Sequence, residues 1–239
     1  MEFSIFSRKV SLRESGLPGE MEDRHSHILY GVDDGAGTEE DSLSLVHWLE
    51  ARGLKELWLT PHIMEDIPNT SEGLRKRYEA LAGVCGGNMH IHLASEYMLD
   101  TLFESRLEVG DLLCMENNMV LVETSTWSSP YNLPDIFSRI MKSGYWPLLA
   151  HPERYRYMET EDYVRIADMG VRFQMNLPSI AGLYGETEKK KAEWLLREGM
   201  YSFIGSDCHN LRMLDRTYSA KTVSVKDIDR ILKIKDTHK

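Results

Sequence analysis

Nine histidines and a scatter of acids, set against only three cysteines, are the residues of this 239-residue chain best suited to chemistry. Imidazole and carboxylate together form ligand sets for manganese, iron or zinc rather than calcium, and without thiolates they do not choose among the three. His25 and His27 stand two apart, so on an extended strand both rings point to one face. Asp34 follows in Val32-Asp33-Asp34-Gly35. His62 ends Thr60-Pro61-His62, Glu96 ends Ala94-Ser95-Glu96, and Glu123 ends Leu121-Val122-Glu123. His151 ends Leu149-Ala150-His151, and Asp207 and His209 close Gly205-Ser206-Asp207-Cys208-His209.

Taken singly, each of these residues has an ordinary explanation, because strand histidines are usually satisfied structurally and acids cap helices. Taken together they do not, since nearly every apolar run ends in one. Four carboxylates in one partly buried site are costly unless cations compensate them. Three divalent ions would leave the site at about +2, a charge that attracts a phosphate dianion. The other histidines carry no such pattern: His47 falls on a helix, His90 and His92 at the start of a strand, and His238 in the tail. Cys208 reads as packing, and Lys189 to Lys191 as solvated helix surface.

The runs that must position these groups are Arg24–Leu29, Glu56–Pro61, His90–Ser95, Met119–Thr124, Pro147–Ala150, Arg172–Leu177 and Tyr201–Ser206. Each is short and bounded by Gly, Pro or charge, as buried strands are. Between them lie helical stretches: one capped by Thr38 and ended by Gly53, then Thr70–Leu81, Pro134–Ser143, Thr160–Met169 and Thr187–Glu198. The strand ends His27, His62, Glu96, Glu123, His151, Asn176 and Asp207 are spaced 25 to 35 residues apart, close to one strand–helix–strand unit. Parallel strands with helical crossovers follow, in a barrel or a wound sheet, and a closed or nearly closed parallel barrel is the expected form, with its site at the C-terminal strand ends. Residues 1–22 show no sustained period and are expected to be a loosely docked extension before a single domain over 23–239.

Acids outnumber Lys plus Arg by 38 to 28, a net charge of −10, which argues against a surface that coats nucleic acid or an anionic membrane. No apolar run is long enough to span a bilayer, and Met1 to Val10 lacks a signal-peptide core. A cytoplasmic protein is expected.

The ordered set His25-Ser-His27, Asp33-Asp34-Gly35, Thr60-Pro61-His62, His151-Pro-Glu-Arg154-Tyr155 and Ser206-Asp207-Cys-His209-Asn210 resembles the PHP (polymerase and histidinol phosphatase) superfamily. Within it, the sequence is most similar to bacterial manganese-dependent protein-tyrosine phosphatases of the capsular and exopolysaccharide (CpsB-like) type. The resemblance covers residues 23 to about 211. It implies a distorted (β/α)₇ TIM-like barrel holding three metal ions, one on His25, His27, Glu96 and Asp207, and a second on Asp34, His62 and His209. A third would lie on Glu123 and His151, with Glu96 bridging. Arg154 matches an arginine that grips the substrate phosphate. The Arg-Pro-Pro motif common after Asp-x-His-Asn is replaced by Leu211-Arg212-Met213-Leu214-Asp215-Arg216, leaving Arg212 or Arg216 as candidates for a second phosphate contact. The region after Arg216 is expected to form a reduced closing helix.

The implied reaction is hydrolysis of phosphotyrosine on a cytoplasmic tyrosine-kinase tail by a metal-activated hydroxide, with Arg154, Asp207 and His209 as catalytic candidates. A cysteine mechanism requires Cys-x₅-Arg, and the sixth residues after Cys85, Cys114 and Cys208 are Ile91, Val120 and Leu214. A small-molecule phosphoesterase such as a histidinol phosphatase, and a non-catalytic metal-binding regulatory domain, are the alternatives.

Overall fold

The computed structural model describes residues 8–234, an α/β fold with a mostly parallel sheet. His238 and the first seven residues lie outside the described residues. Strand β1 (Lys9–Val10) precedes β2 (Glu56–Leu59), β3 (His62–Ile63), β4 (His90–Leu93) and β5 (Glu96–Met98). Then come β6 (Met119–Glu123), β7 (Trp146–Leu149), β8 (Arg172–Asn176), β9 (Tyr201–Gly205) and β10 (Val223–Ser224). Six strands form one sheet in the order β3-β5-β6-β7-β8-β9, with every pair parallel. β2 and β4 pair in parallel beside them.

β3 and β5 prolong β2 and β4, because Ala94 N donates to Leu59 O at 3.0 Å and Glu96 N to Pro61 O at 3.2 Å. The ladder is interrupted at Thr60–Pro61, where proline has no N–H to give. His62 and Glu96 therefore begin short second strands instead of ending the first ones.

Residues 24–29 were expected to form a strand, and no regular strand forms there among the described residues. Residues 23–27 are nonetheless bonded on both flanks. On one side Asp23 N donates to Glu56 O and Thr60 N to Ser26 O; on the other Arg24 N donates to Ile204 O and His27 N to Cys208 O. The chain then turns sharply, Ala36 N reaching back to His27 O at 3.0 Å, which ends the extended run before Leu29.

Helices connect the strands: α1 (Glu39–Glu50), α2 (Ser71–Val84), α3 (Thr101–Val109), α4 (Leu133–Lys142), α5 (Thr160–Asp168), α6 (Leu177–Ile180), α7 (Glu186–Arg197), α8 (Leu211–Ser219) and α9 (Val225–Ile231). Thr38 opens α1 with the expected capping box to Asp41, and Leu45, Val46 and Leu49 turn into the core. After Arg216, which lies within α8, the only further helix among the described residues is the seven-residue α9.

Two expectations fail on packing. Residues 8–22 are not loosely docked: Leu12 and Leu17 are fully buried, and β1 pairs antiparallel with β10. Apolar side chains this sparse give no period, yet two suffice to anchor a short segment. The Lys189–Lys191 run is not all solvated either. Lys189 is 8% exposed and donates to Thr222 O at 2.7 Å, and Lys191 donates to the carbonyls of Tyr155 and Met158. Only Lys190 is on the outer surface, near Glu186. Long apolar stems let lysine lie along the core while the ammonium caps carbonyls.

Side chains alternate across the sheet with period two. On β6, Val120 and Val122 face the main core, while Met119 and Leu121 join a smaller cluster with Trp58, Ala94, Leu148, Ala150 and Phe203. Glu123 is the next residue on the Met119–Leu121 face, and Glu96 follows Ala94 in the same way. The small cluster is thus an apolar floor, and the C-terminal continuation of its own face carries the ligand-type residues.

Candidate metal centre

All nine residues expected to hold metal converge. The atoms fall into overlapping groups whose members lie within 4.8 Å of one another: His27, Asp34, His62 and His209; His25, Glu96 and His151; His25, His27 and Asp207; and His62, Glu96 and Glu123. His151 Nε2 is 3.0 Å from Glu96 and 3.7 Å from Glu123.

Two of the positioning turns use backbone that side-chain-bearing residues seldom adopt. His151 has φ +34° and Asp207 φ +50°, left-handed conformations that persist only where surrounding bonds enforce them. At His151 the turn breaks the period-two rule and brings the ring onto the same side as Glu123. Close backbone approach contributes as well. A Cβ on Gly205 would lie 2.5 Å from His25 Cβ, and one on Gly35 would lie 1.9 Å from His27 O.

The histidine tautomers follow from their partners. Gln174 Oε1, an acceptor, is 2.9 Å from His25 Nδ1, and Asp33 Oδ2 is 2.8 Å from His27 Nδ1. In the neutral rings each Nδ1 therefore donates, which leaves both Nε2 atoms as lone-pair acceptors. These two acceptors stand 3.1 Å apart. Glu96 Oε2, buried without a hydrogen-bond donor, is 3.1 Å from His25 Nε2 and 3.3 Å from His27 Nε2. With neutral rings three acceptors would crowd together here, an arrangement that positive charge relieves, whether carried by a metal ion or by protons on the imidazoles. The donor set thus fits a divalent ion.

The electrostatics show the same demand for positive charge. Burial works against ionisation of Glu96 and Asp207, but the surrounding histidines prevail and hold both carboxyls well below the usual range. Burial would lower His25, yet Glu96 and Asp207 lift it to about 8. The His209 ring holds Asp34 at about 2. Burial and the nearby Arg154 lower His151, which favours the neutral ring a metal would need.

Asp207 divides its carboxylate. Oδ1 faces His25, His27 and His209 at 3.5–3.7 Å, while Oδ2 receives Arg154 Nη1 at 2.9 Å and Asn176 Nδ2 at 2.7 Å. Arg154 is partly exposed, 4.6 Å from the centroid of the Tyr184 ring, and the Tyr184 hydroxyl lies 3.5 Å from the same Oδ2. Asp34 is exposed and His209 partly so, which marks the open side of the cluster. Arg212 and Arg216 do not join it. They line a separate cleft next to Tyr184.

Sequence reasoning missed four members. Asp33 was written within a motif but given no task, and Asn176 was noted only as a strand end. Gln174 lies two residues before Asn176, so period two on β8 would have placed both on the ligand face. Tyr184 comes from an irregular loop and left no periodic signal.

The profile of the family described as capsular polysaccharide synthesis, CpsB/CapC, matches residues 21–224. The tyrosine-protein phosphatase CpsB of Streptococcus agalactiae serotype V is 30% identical over 211 residues, spanning 80% of this chain and 84% of that protein. The tyrosine-protein phosphatase YwqE of Bacillus subtilis is 26% identical over 199 residues, spanning 80% and 78%. In fold, the chain matches a crystal structure from work on YwqE of Bacillus subtilis and CpsB of Streptococcus pneumoniae, described as unique metal-dependent tyrosine phosphatases. The TM-score is 0.74 at 24% identity, with 89% and 86% of the two chains covered. By sequence profile and by relatives, the chain belongs to the CpsB/CapC family of capsular polysaccharide synthesis.

Proposed function

We propose that this chain is a metal-dependent protein-tyrosine phosphatase of capsule or exopolysaccharide synthesis, acting in the cytoplasm on the phosphotyrosines of a tyrosine kinase. The observation that carries the metal reading is the pair of His25 and His27 Nε2 acceptors 3.1 Å apart beside Glu96. The names of the relatives, tyrosine-protein phosphatases CpsB and YwqE, support the substrate class. No helix among the described residues is long and apolar enough to cross a membrane.

The fold reading goes with it. Backbone bonds on both flanks of residues 23–27 support closure of the sheet into a distorted (β/α)₇ barrel, with residues 8–22 packed into the same domain. Within it three divalent ions, manganese by preference, would be held by His25, His27, Glu96 and Asp207; by Asp34, His62 and His209; and by Glu123 and His151 with Glu96 shared.

When bound, such ions supply Lewis-acid charge to phosphoryl oxygens and lower the pKa of water toward neutrality. Asp33 and Gln174 orient the two inner imidazoles by holding their Nδ1 protons. Arg154 presents a fork of donors at the open side. Burial opposes its charge, but Asp207 outweighs this and keeps it cationic. One donor is committed to Asp207 Oδ2 and the rest remain for the phosphate's equatorial oxygens. His209 and Asp207, the remaining catalytic candidates, lie at the boundary between this arginine and the inner ligands. A tyrosine leaving group has a pKa of about 10, so it departs with little protonation.

The test is hydrolysis of a phosphotyrosine peptide by protein stripped with chelator and reloaded with manganese, alongside His151→Ala. Activity should vanish on stripping, return with manganese and be lost in the variant. Undiminished turnover in chelator, or a strong preference for histidinol phosphate, would overturn the reading.

A further inference from the structure

We propose that the cleft lined by Arg212 and Arg216 is a second anion subsite, taking an acidic side chain that flanks the phosphotyrosine. The proposal rests on the phosphotyrosine reading above and assigns it a sequence preference.

The cleft has a volume of about 360 Å³ and is lined by Leu183, Tyr184, Asn210, Arg212, Met213 and Arg216. It adjoins the candidate metal centre through two of its walls. Tyr184 touches Asp207 and lies under Arg154, and Asn210 directly follows His209, capping α8 through Met213 N. A phosphate gripped by Arg154 would thus lie across the Tyr184 ring from this cleft.

The charges in the cleft are uncompensated. Arg212 and Arg216 are four residues apart on α8, so they share a face and repel each other. Among the described residues neither forms an ion pair, although the acid between them, Asp215, is bound to Arg13 at 2.6 Å. The only carboxylate on this stretch of helix has been drawn to the other side. Two exposed guanidiniums without an acid, in a chain of net charge −10, leave room for an anion from outside. A guanidinium pairs in bidentate fashion with either a carboxylate or a phosphoryl group. An extended peptide advances about 3.3–3.6 Å per residue, so the side chains one or two positions from the phosphotyrosine are the candidates for this cleft. The ligand is therefore an Asp or Glu carboxylate or a second phosphoryl group.

The experiment uses the full chain loaded with manganese. Substrates are p-nitrophenyl phosphate and three phosphotyrosine peptides, with a neutral flank, a Glu flank or a second phosphotyrosine. Wild type is compared with Arg212→Gln, Arg216→Gln and the double variant. Wild type should favour at least one anionic-flank peptide over the neutral one by about tenfold in kcat/KM, chiefly through KM. The double variant should bring that ratio close to one. The ratio is insensitive to general damage, because both peptides report on the same protein. Preference for the Glu arm alone names a carboxylate, and preference for the second phosphotyrosine alone names a phosphoryl group. No preference in wild type, or a preference that survives both substitutions, overturns the subsite. Equal losses on every substrate, p-nitrophenyl phosphate included, would place these arginines on the scissile phosphate and also overturn it. Turnover of p-nitrophenyl phosphate without turnover of any peptide would instead remove the phosphotyrosine reading itself.

Discussion

Arg154 Nη1 donates to Asp207 Oδ2 at 2.9 Å, on the oxygen turned away from the histidines. One carboxylate thereby joins the group expected to meet phosphate to the group expected to hold metal. Arg154→Gln should lower kcat/KM on p-nitrophenyl phosphate by about 10²–10³ while bound manganese, measured by elemental analysis, stays near the wild-type level. Loss of metal in parallel with activity would show that the arginine supports Asp207 instead of the substrate.

Asp33 acts through His27. Asp33→Asn keeps an oxygen but can present an amide to Nδ1, which removes the preference for the tautomer with a free Nε2. Affinity for manganese should fall by about 10–100-fold, measurable by titration of the stripped protein. An unchanged affinity would show that His27 needs no such partner.

Gly205 has no room for a methyl group, because its Cβ would meet His25 Cβ and Gln174 Nε2, both at 2.5 Å. Gly205→Ala should cost about 1–3 kcal/mol of stability and displace His25 as well. Thermal unfolding with and without manganese would separate the two effects, since a displaced ligand also shrinks the stabilisation gained from metal.

Cys114 gives a pH prediction free of the metal ligands. Burial pushes its thiol up to about 12 from an ordinary 9.0. At pH 8 its thiolate is therefore about a thousandfold scarcer than that of a free cysteine, and iodoacetamide should label it correspondingly slowly in the native protein. The sign for stability follows. Ionisation is easier in the unfolded chain, so this group takes nothing from stability below pH 9 and progressively destabilises the fold from 9 toward 12. Rapid labelling at pH 8 in native conditions would contradict the burial.

The first ring of the site was legible because it is a matter of residue type. His, Asp and Glu at the ends of apolar runs stand out in any sequence, and all nine converge in space. The groups that act through another residue were not legible. Asp33 and Gln174 reveal themselves only by which imidazole nitrogen they touch, and Gln174 is 149 positions from His25. The helices α1, α4, α5 and α7 were readable from caps and glycines, since those signals are local. Lys189 and Lys191 were misread because a charged head says nothing about where its stem lies. The segment 23–27 was expected as a plain strand, and its two flanks are set by partners far along the chain.

That last feature bears on the order in which the protein is made. His25 and His27 leave the ribosome first, but Asp23 bonds to Ser206 N across 183 positions, and Asp207 and His209 come almost as late. A nascent chain shorter than about 210 residues lacks one flank of the segment and two of the candidate ligands. Contacts this distant in sequence form slowly. The full set of candidate ligands is thus assembled only once translation has passed β9 and residues 23–27 have met their C-terminal flank.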